Sequence, residues 1–130
     1  MKLENHLKKL KEHMNGLEWG IRQNNYSAIG FHASQGAVEV ISIYLHKLKL
    51  IPADIQLKHT WFKSKGTKET KFDFSFPKKN EILALAKGIE DLRNSLCYGA
   101  PKPEKSVNTV ADNFRRLKSL IEKELGEKFD

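Results

Sequence analysis

Arg93, its neighbour Asn94 and Tyr98 five positions after the arginine are the residues of this chain whose types and spacing best suit chemistry. A guanidinium is permanently charged and planar, and its paired N–H groups match two oxygens of a phosphate. Tyr98 contributes a phenol. Such a group titrates near about 10 and is a poor base at neutral pH, but it can donate a hydrogen bond to a phosphate oxygen or stack on a base. The competing role for Arg93 is structural, as the partner of Glu39 or Asp91 in an ion pair.

The element that must carry these residues is a helix. Ile82, Leu85, Ala86, Ile89, Leu92 and Leu96 recur at the period of one helix face. Arg93 and Asn94 follow Leu92 directly and sit at the edge of that stripe, and a tight last turn would bring Tyr98 towards Arg93. Asn80 reads as the N-cap and Gly99 as the end, followed by a stiff connector, Ala100-Pro101-Lys102-Pro103. Three further stripes accompany it. Leu3, Leu7, Leu10, Met14, Leu17 and Ile21 form one, ending at Asn24-Asn25. Ile29, Ala33, Ala37, Val40, Ile41, Tyr44 and Leu48 form a second, ended by Pro52. Val110, Phe114, Leu117, Ile121 and Leu125 form the last, starting near Ser106 or Asn108. Small residues from Gly30 to Ala37 would let a neighbouring helix approach closely. The pattern predicts long helices over 3–23, 26–48, 81–98 and 107–125. It describes one all-α domain over 1–130, a four-helix up-and-down bundle with an irregular basic excursion between the second and third long helices.

That excursion holds most of the net charge of +7. From Lys47 to Lys79 nine lysines face only Asp54, Glu69 and Asp73. Within it, 53–64 can form a short helix with Ile55, Trp61 and Phe62 inward, Gly66-Thr67 breaks the chain, and 71–76 alternates like an extended segment lying along the bundle. Lysines attract phosphates and aromatic rings stack on bases, so Lys58, Lys63, Lys65, Lys68 and Lys71, interleaved with Trp61, Phe62, Phe72, Phe74 and Phe76, suit a single-stranded nucleic acid. A solvated basic loop whose rings dock on the bundle fits the same residues.

Together, the helix order, the length, Arg93-Asn94 with Tyr98, and the stretch Tyr26-Ser27-Ala28 to Phe31-His32-Ala33-Ser34-Gln35-Gly36-Ala37-Val38-Glu39 resemble the HEPN family. The resemblance covers roughly residues 1–125. His59, a few residues after Pro52, also falls where such proteins often have a histidine opening a short helix. The family motif is an arginine followed four to six residues later by histidine, and here Tyr98 stands at the histidine position. The resemblance implies a four-helix bundle that acts on RNA or a nucleotide, related to the metal-independent ribonuclease toxins of toxin–antitoxin pairs. It also implies a homodimer with its cleft between protomers and a small nucleotidyltransferase as partner. In the family the 2′-hydroxyl of RNA is the nucleophile, histidine the acid or base, and arginine steadies the charge on phosphorus. With tyrosine in that place, the chain reads as a degenerate or regulatory relative, and a non-enzymatic helical interaction module is the alternative.

Other chemistries find little support. His6 and His13 are seven apart and His32 and His46 fourteen apart, whereas helical metal ligands are three or four apart, so each is expected as a surface or half-buried side chain. The Gly16–Gly20 spacing reads as close packing or a bend. Cys97 is the only cysteine, which leaves no disulfide or cysteine cluster, and it reads as a small packing residue. No cofactor or metal is implied. No apolar run reaches the roughly 20 residues that span a bilayer and no secretory leader is visible, so a cytoplasmic protein is expected.

Overall fold

Two asparagines set the first turn of the chain. Helix α1, Leu3–Gln23, is closed by Asn24 in the left-handed region at φ 51°. The next residue, Asn25, accepts a hydrogen bond from the Ala28 amide and so caps α2, Tyr26–Lys47. Asparagine tolerates the first geometry and its side chain satisfies an orphan donor in the second. The computed structural model describes residues 2–98 and 104–129. Its regular elements are all helical, with no strand among the described residues. After α2 come a 3₁₀ turn, His59–Phe62, and then α3, Lys65–Lys71, α4, Lys79–Tyr98, and α5, Glu104–Leu125. None of these helices is long and apolar enough to cross a membrane.

Helix α2 is the spine. It packs against α1, α4 and α5, and α4 packs against α5. Fourteen of its residues are buried, including an unbroken run from Gly36 to Leu45. A helix apolar on nearly all sides must be surrounded by others. Its small residues set the spacing. A Cβ on Gly30 would stand 3.0 Å from the Leu96 Cβ on α4, and one on Gly36 would stand 2.7 Å from the Phe114 ring on α5. Gly16 of α1 makes room in the same way for the His32 ring. The buried side chains from all four long helices form one contiguous core.

The stretch between α2 and α4 departs from the sequence expectation in several places. Only His59–Phe62 coils, as a 3₁₀ turn, within the expected 53–64 helix. Ile55 is exposed and Leu57 is buried instead, because the backbone around them is irregular and does not carry a helical face. Gly66-Thr67 does not break the chain but lies inside α3, whose N-cap Ser64 accepts from the Thr67 amide. Capping offsets the helix cost of one glycine, both being about 1 kcal/mol. Beyond α3 the chain is irregular to Pro77, and its rings turn inward. Phe62 stacks on Phe72 with 5.3 Å between ring centres, and Trp61, Phe74, Phe76 and Tyr44 extend the cluster.

Two helix starts also move. Asn80 is not the cap of α4: Lys78, at φ 63°, turns the chain, and its carbonyl accepts the Ile82 amide, so the helix has begun by Lys79. Helix α5 begins at Glu104, ahead of its first buried residue, Val107. Its first turn is polar and therefore invisible to apolar periodicity. Gly99 and the Ala100–Pro103 connector lie outside the described residues.

Candidate functional site

Glu90 is a carboxylate on the buried face of α4, only 4% exposed. It lies four residues after Ala86, on the stripe that otherwise carries Ile82, Ala86 and Ile89. A charge so placed needs hydrogen-bonded partners, since an isolated buried carboxylate is severely destabilising. Two are present. Ser34 of α2 donates its hydroxyl to Glu90 Oε2 at 2.9 Å, and His59 Nδ1 lies 2.7 Å from Glu90 Oε1. The contact runs through Nδ1 of the His59 ring, so Nε2 takes no part in it.

The relay continues beyond the serine. Arg93 Nη1 donates to Ser34 Oγ at 2.9 Å, and the guanidinium stacks over the Phe31 ring, 5.4 Å from its centre. Ser34, 2% exposed, therefore accepts from a cation and donates to an anion through one oxygen. The result is a continuous chain, His59–Glu90–Ser34–Arg93, whose inner members are buried and whose ends are half-exposed. Each element has its task. Residues three apart on α4 present Glu90 and Arg93 to neighbouring positions on one face. The small-residue side of α2 lets α4 approach close enough for Ser34 to reach both, and the 3₁₀ turn delivers His59 from the opposite direction.

Arg93 thus takes neither of the partners expected from the sequence. Glu39 is held by buried His6, with His6 Nδ1 2.6 Å from Glu39 Oε2, and Asp91 is held by Lys87 one turn earlier at 2.7 Å. The lone hydroxyl of Ser34 reaches the guanidinium because Arg93 sits on the α2-facing edge of the stripe. Tyr98 is not brought to Arg93. Helix α4 stays regular to its end, so positions five apart diverge by about 140° around the axis, and Tyr98 stands 81% exposed. Asn94 is exposed on the same last turns.

The candidate lysines remain on the surface, with Lys58, Lys63, Lys65 and Lys71 exposed and Lys68 half-buried. Lys58 and Lys63 flank the 3₁₀ turn that carries His59. Lys65 and Lys68 line a groove of about 290 Å³ with Lys79, Phe72 and Leu83. Lys71 is placed over the Trp61 ring, 4.9 Å from its centre. The rings between them are mostly withdrawn: Phe62, Phe72 and Phe76 are buried, which removes their faces from base stacking.

His13, His32 and His46 are half-buried, as expected, and His6 alone departs by being buried. His6 is 2% exposed, and its ring centre lies 5.2 Å from that of His46. His13 and His32 face each other across α1 and α2, Nδ1 to Nδ1 at 3.0 Å. Burial, then the neighbouring His32 and Lys9 charges, push the His13 pKa down to about 4, with Glu12 opposing. Burial also lowers His32, and burial and His6 lower His46. Burial pushes the Cys97 thiol up despite the Arg93 charge, so this thiol stays protonated and packs against the Ser27 carbonyl. Among the described residues no group of three or more histidine, cysteine or acidic side chains is arranged to hold a metal. Comparison of the chain with family models, curated proteins and solved structures gives no match.

Proposed function

We propose that this chain is a HEPN-like domain that binds RNA through its phosphates, with Arg93 as the phosphate-binding residue. The observation that carries this reading is the relay itself. Arg93 spends Nη1 on Ser34 and stacks on Phe31, so its fork is fixed in orientation while the side chain stays half-exposed. A guanidinium fixed in this way loses little freedom on gripping a phosphate. His59 at the other end of the relay sits between Lys58 and Lys63, which joins the basic stretch to the same feature. Four long helices, with the arginine late in the third, accord with the resemblance. Under this reading two protomers meet near Arg93, where Tyr98 and Phe31 expose rings to a partner, and a small nucleotidyltransferase is the expected companion.

The test is binding of a fluorescent single-stranded RNA oligonucleotide at low salt. Arg93→Ala should weaken binding at least tenfold with the fold retained by circular dichroism, and Arg93→Lys should recover only part, because the fork is lost. Equal affinity for the unmodified protein and Arg93→Ala would overturn the assignment. The second reading, a helical interaction module, is favoured by one observation: the Arg93–Ser34 bond also ties α4 to α2. A purely structural arginine would show large destabilisation in Arg93→Ala and no RNA binding in the unmodified chain.

A further inference from the structure

We propose that a polar cleft between α1 and α2, with buried Glu39 on its floor and Lys9 at its mouth, is a binding site for a small free amino acid. Glu39 receives the ammonium end and Lys9 the carboxylate end. The cleft shares no residue with the His59–Glu90–Ser34–Arg93 relay, and the inference does not rest on RNA binding.

The cleft follows from the pairing of two antiparallel helices. His6 meets Glu39 and His13 meets His32, so each step forward on α1 is a step back on α2. Lys9, about one turn after His6, is therefore level with Gln35, about one turn before Glu39. The irregular stretch ahead of the 3₁₀ turn closes the third side with Gln56. The volume enclosed is about 200 Å³. Pockets for drug-sized ligands begin at roughly 300 Å³, so this one suits a molecule of few heavy atoms and is too small for a nucleotide.

The floor holds a charge that packing does not explain. Glu39 is 7% exposed and His6 2%, and a buried ionisable pair is costly unless its hydrogen bonds are complete. Here they are incomplete. His6 Nδ1 meets Glu39 Oε2 at 2.6 Å, but His6 Nε2 is buried without a hydrogen-bond partner. The second carboxylate oxygen of Glu39 has none among the described residues. Ser42, on the same face of α2, does not supply one, because its hydroxyl is donated to the Val38 carbonyl at 2.7 Å. A pair kept only to tie α1 to α2 would be satisfied on every side or replaced by apolar side chains.

The mouth complements the floor. Lys9 is exposed and has no ion-pair partner among the described residues, and the Gln35 and Gln56 carboxamides make no hydrogen bond there either. A carboxylate below and an ammonium above, with two free carboxamides beside them, match a molecule carrying both charges. A simple cation would meet Lys9 with like charge, and a simple anion would meet Glu39 in the same way. Val38 and Leu57 give the cleft an apolar flank, which suits a short aliphatic side chain.

The experiment follows the backbone amides of the isotope-labelled full chain by NMR during titration with L-alanine. Acetate and methylammonium, each carrying one of the two charges, are the controls. Expected results are saturable shifts at the α1–α2 cleft and around Gln56 with L-alanine, and far weaker shifts with either control. Glu39→Gln should lower the affinity about tenfold or more, the usual size of a lost charge-assisted bond. Lys9→Ala alters an exposed side chain and leaves the fold intact. It should lower the affinity a few-fold and remove the preference for L-alanine over L-alaninamide, which lacks the carboxylate, whereas a merely structural Lys9 would leave that preference unchanged. Absence of saturable shifts with L-alanine would overturn the inference. Acetate or methylammonium binding as tightly as L-alanine would overturn it too, by showing a site for one charge only.

Discussion

Ser34 donates its hydroxyl to Glu90 across the α2–α4 contact at 2.9 Å, with both side chains almost completely buried. The bond converts what would be a stranded carboxylate into a positioned one, and it makes the serine the smallest part on which the relay depends. Ser34→Ala changes little volume but removes one donor from Glu90 and the acceptor of Arg93. Leaving buried polar groups unsatisfied costs about 1–3 kcal/mol. Urea denaturation should therefore show a loss of that size with an unchanged m-value, and RNA binding should weaken as Arg93 loses its anchor. A midpoint equal to that of the unmodified protein would mean the hydroxyl carries no strain-bearing bond.

The histidines at the α1–α2 seam predict a pH dependence of stability with a definite sign. The pKa of His13 is depressed from 6.5 to about 4 in the folded chain, and His32 and His46 are depressed as well. Between these limits the unfolded chain binds more protons than the folded one, so stability rises with pH there. It is fully present above 6.5 and is lost as the pH falls towards 4. Denaturation midpoints measured at pH 4.5, 5.5 and 7 should rise in that order, and His13→Gln should flatten the slope. A slope unaltered in His13→Gln would remove this residue as its source.

Two glycine-to-alanine substitutions should move stability in opposite directions. At Gly36 the added Cβ would meet the Phe114 ring at 2.7 Å, inside a core that cannot yield cheaply, so Gly36→Ala should cost about 1–3 kcal/mol. At Gly66, inside α3, nothing lies within 4 Å of the new Cβ. There the lost unfolded-state freedom should yield a gain of about 0.4–1 kcal/mol. Thermal melts of the two variants, read beside the parent, check both signs together.

Charge reversal at Lys63 and Lys65 should weaken RNA binding alike for different sequences and make it less sensitive to salt, because phosphate contacts release counterions but carry no sequence information. Titrations at 50 and 200 mM salt with two unrelated oligonucleotides measure both effects. A sequence-dependent loss would point to base contacts in this stretch instead.

Helices α1, α4 and α5 were legible from apolar spacing because each keeps a polar face, and α2 because apolar and small residues continue through it without a break. The polar first turn of α5 was not, since Glu104 to Ser106 hold no apolar residue to betray a helix. Ile55 and Leu57 exchanged roles because the irregular backbone before the 3₁₀ turn has no period to read. Arg93 and His59 stood out by type, whereas Ser34 and Glu90 did not. Serine among small residues looks like packing, and Glu90 was hidden beside Asp91, a more obvious partner for a cation. The available signal was a carboxylate at a position where the stripe calls for an apolar side chain.

Helix α1 takes its principal packing from α2 alone, whereas α2, α4 and α5 brace one another. The four relay residues all lie outside α1. Partial opening of the molecule should therefore begin at this helix, as a unit whose amides exchange with solvent before those of α2 or α4. His13, His32 and His46, the histidines whose pKa burial lowers, all lie along that same α1–α2 seam. Mild acid thus acts on the peripheral helix first, and the order of amide exchange separates the part of the chain that holds the relay from the helix packed on the outside of α2.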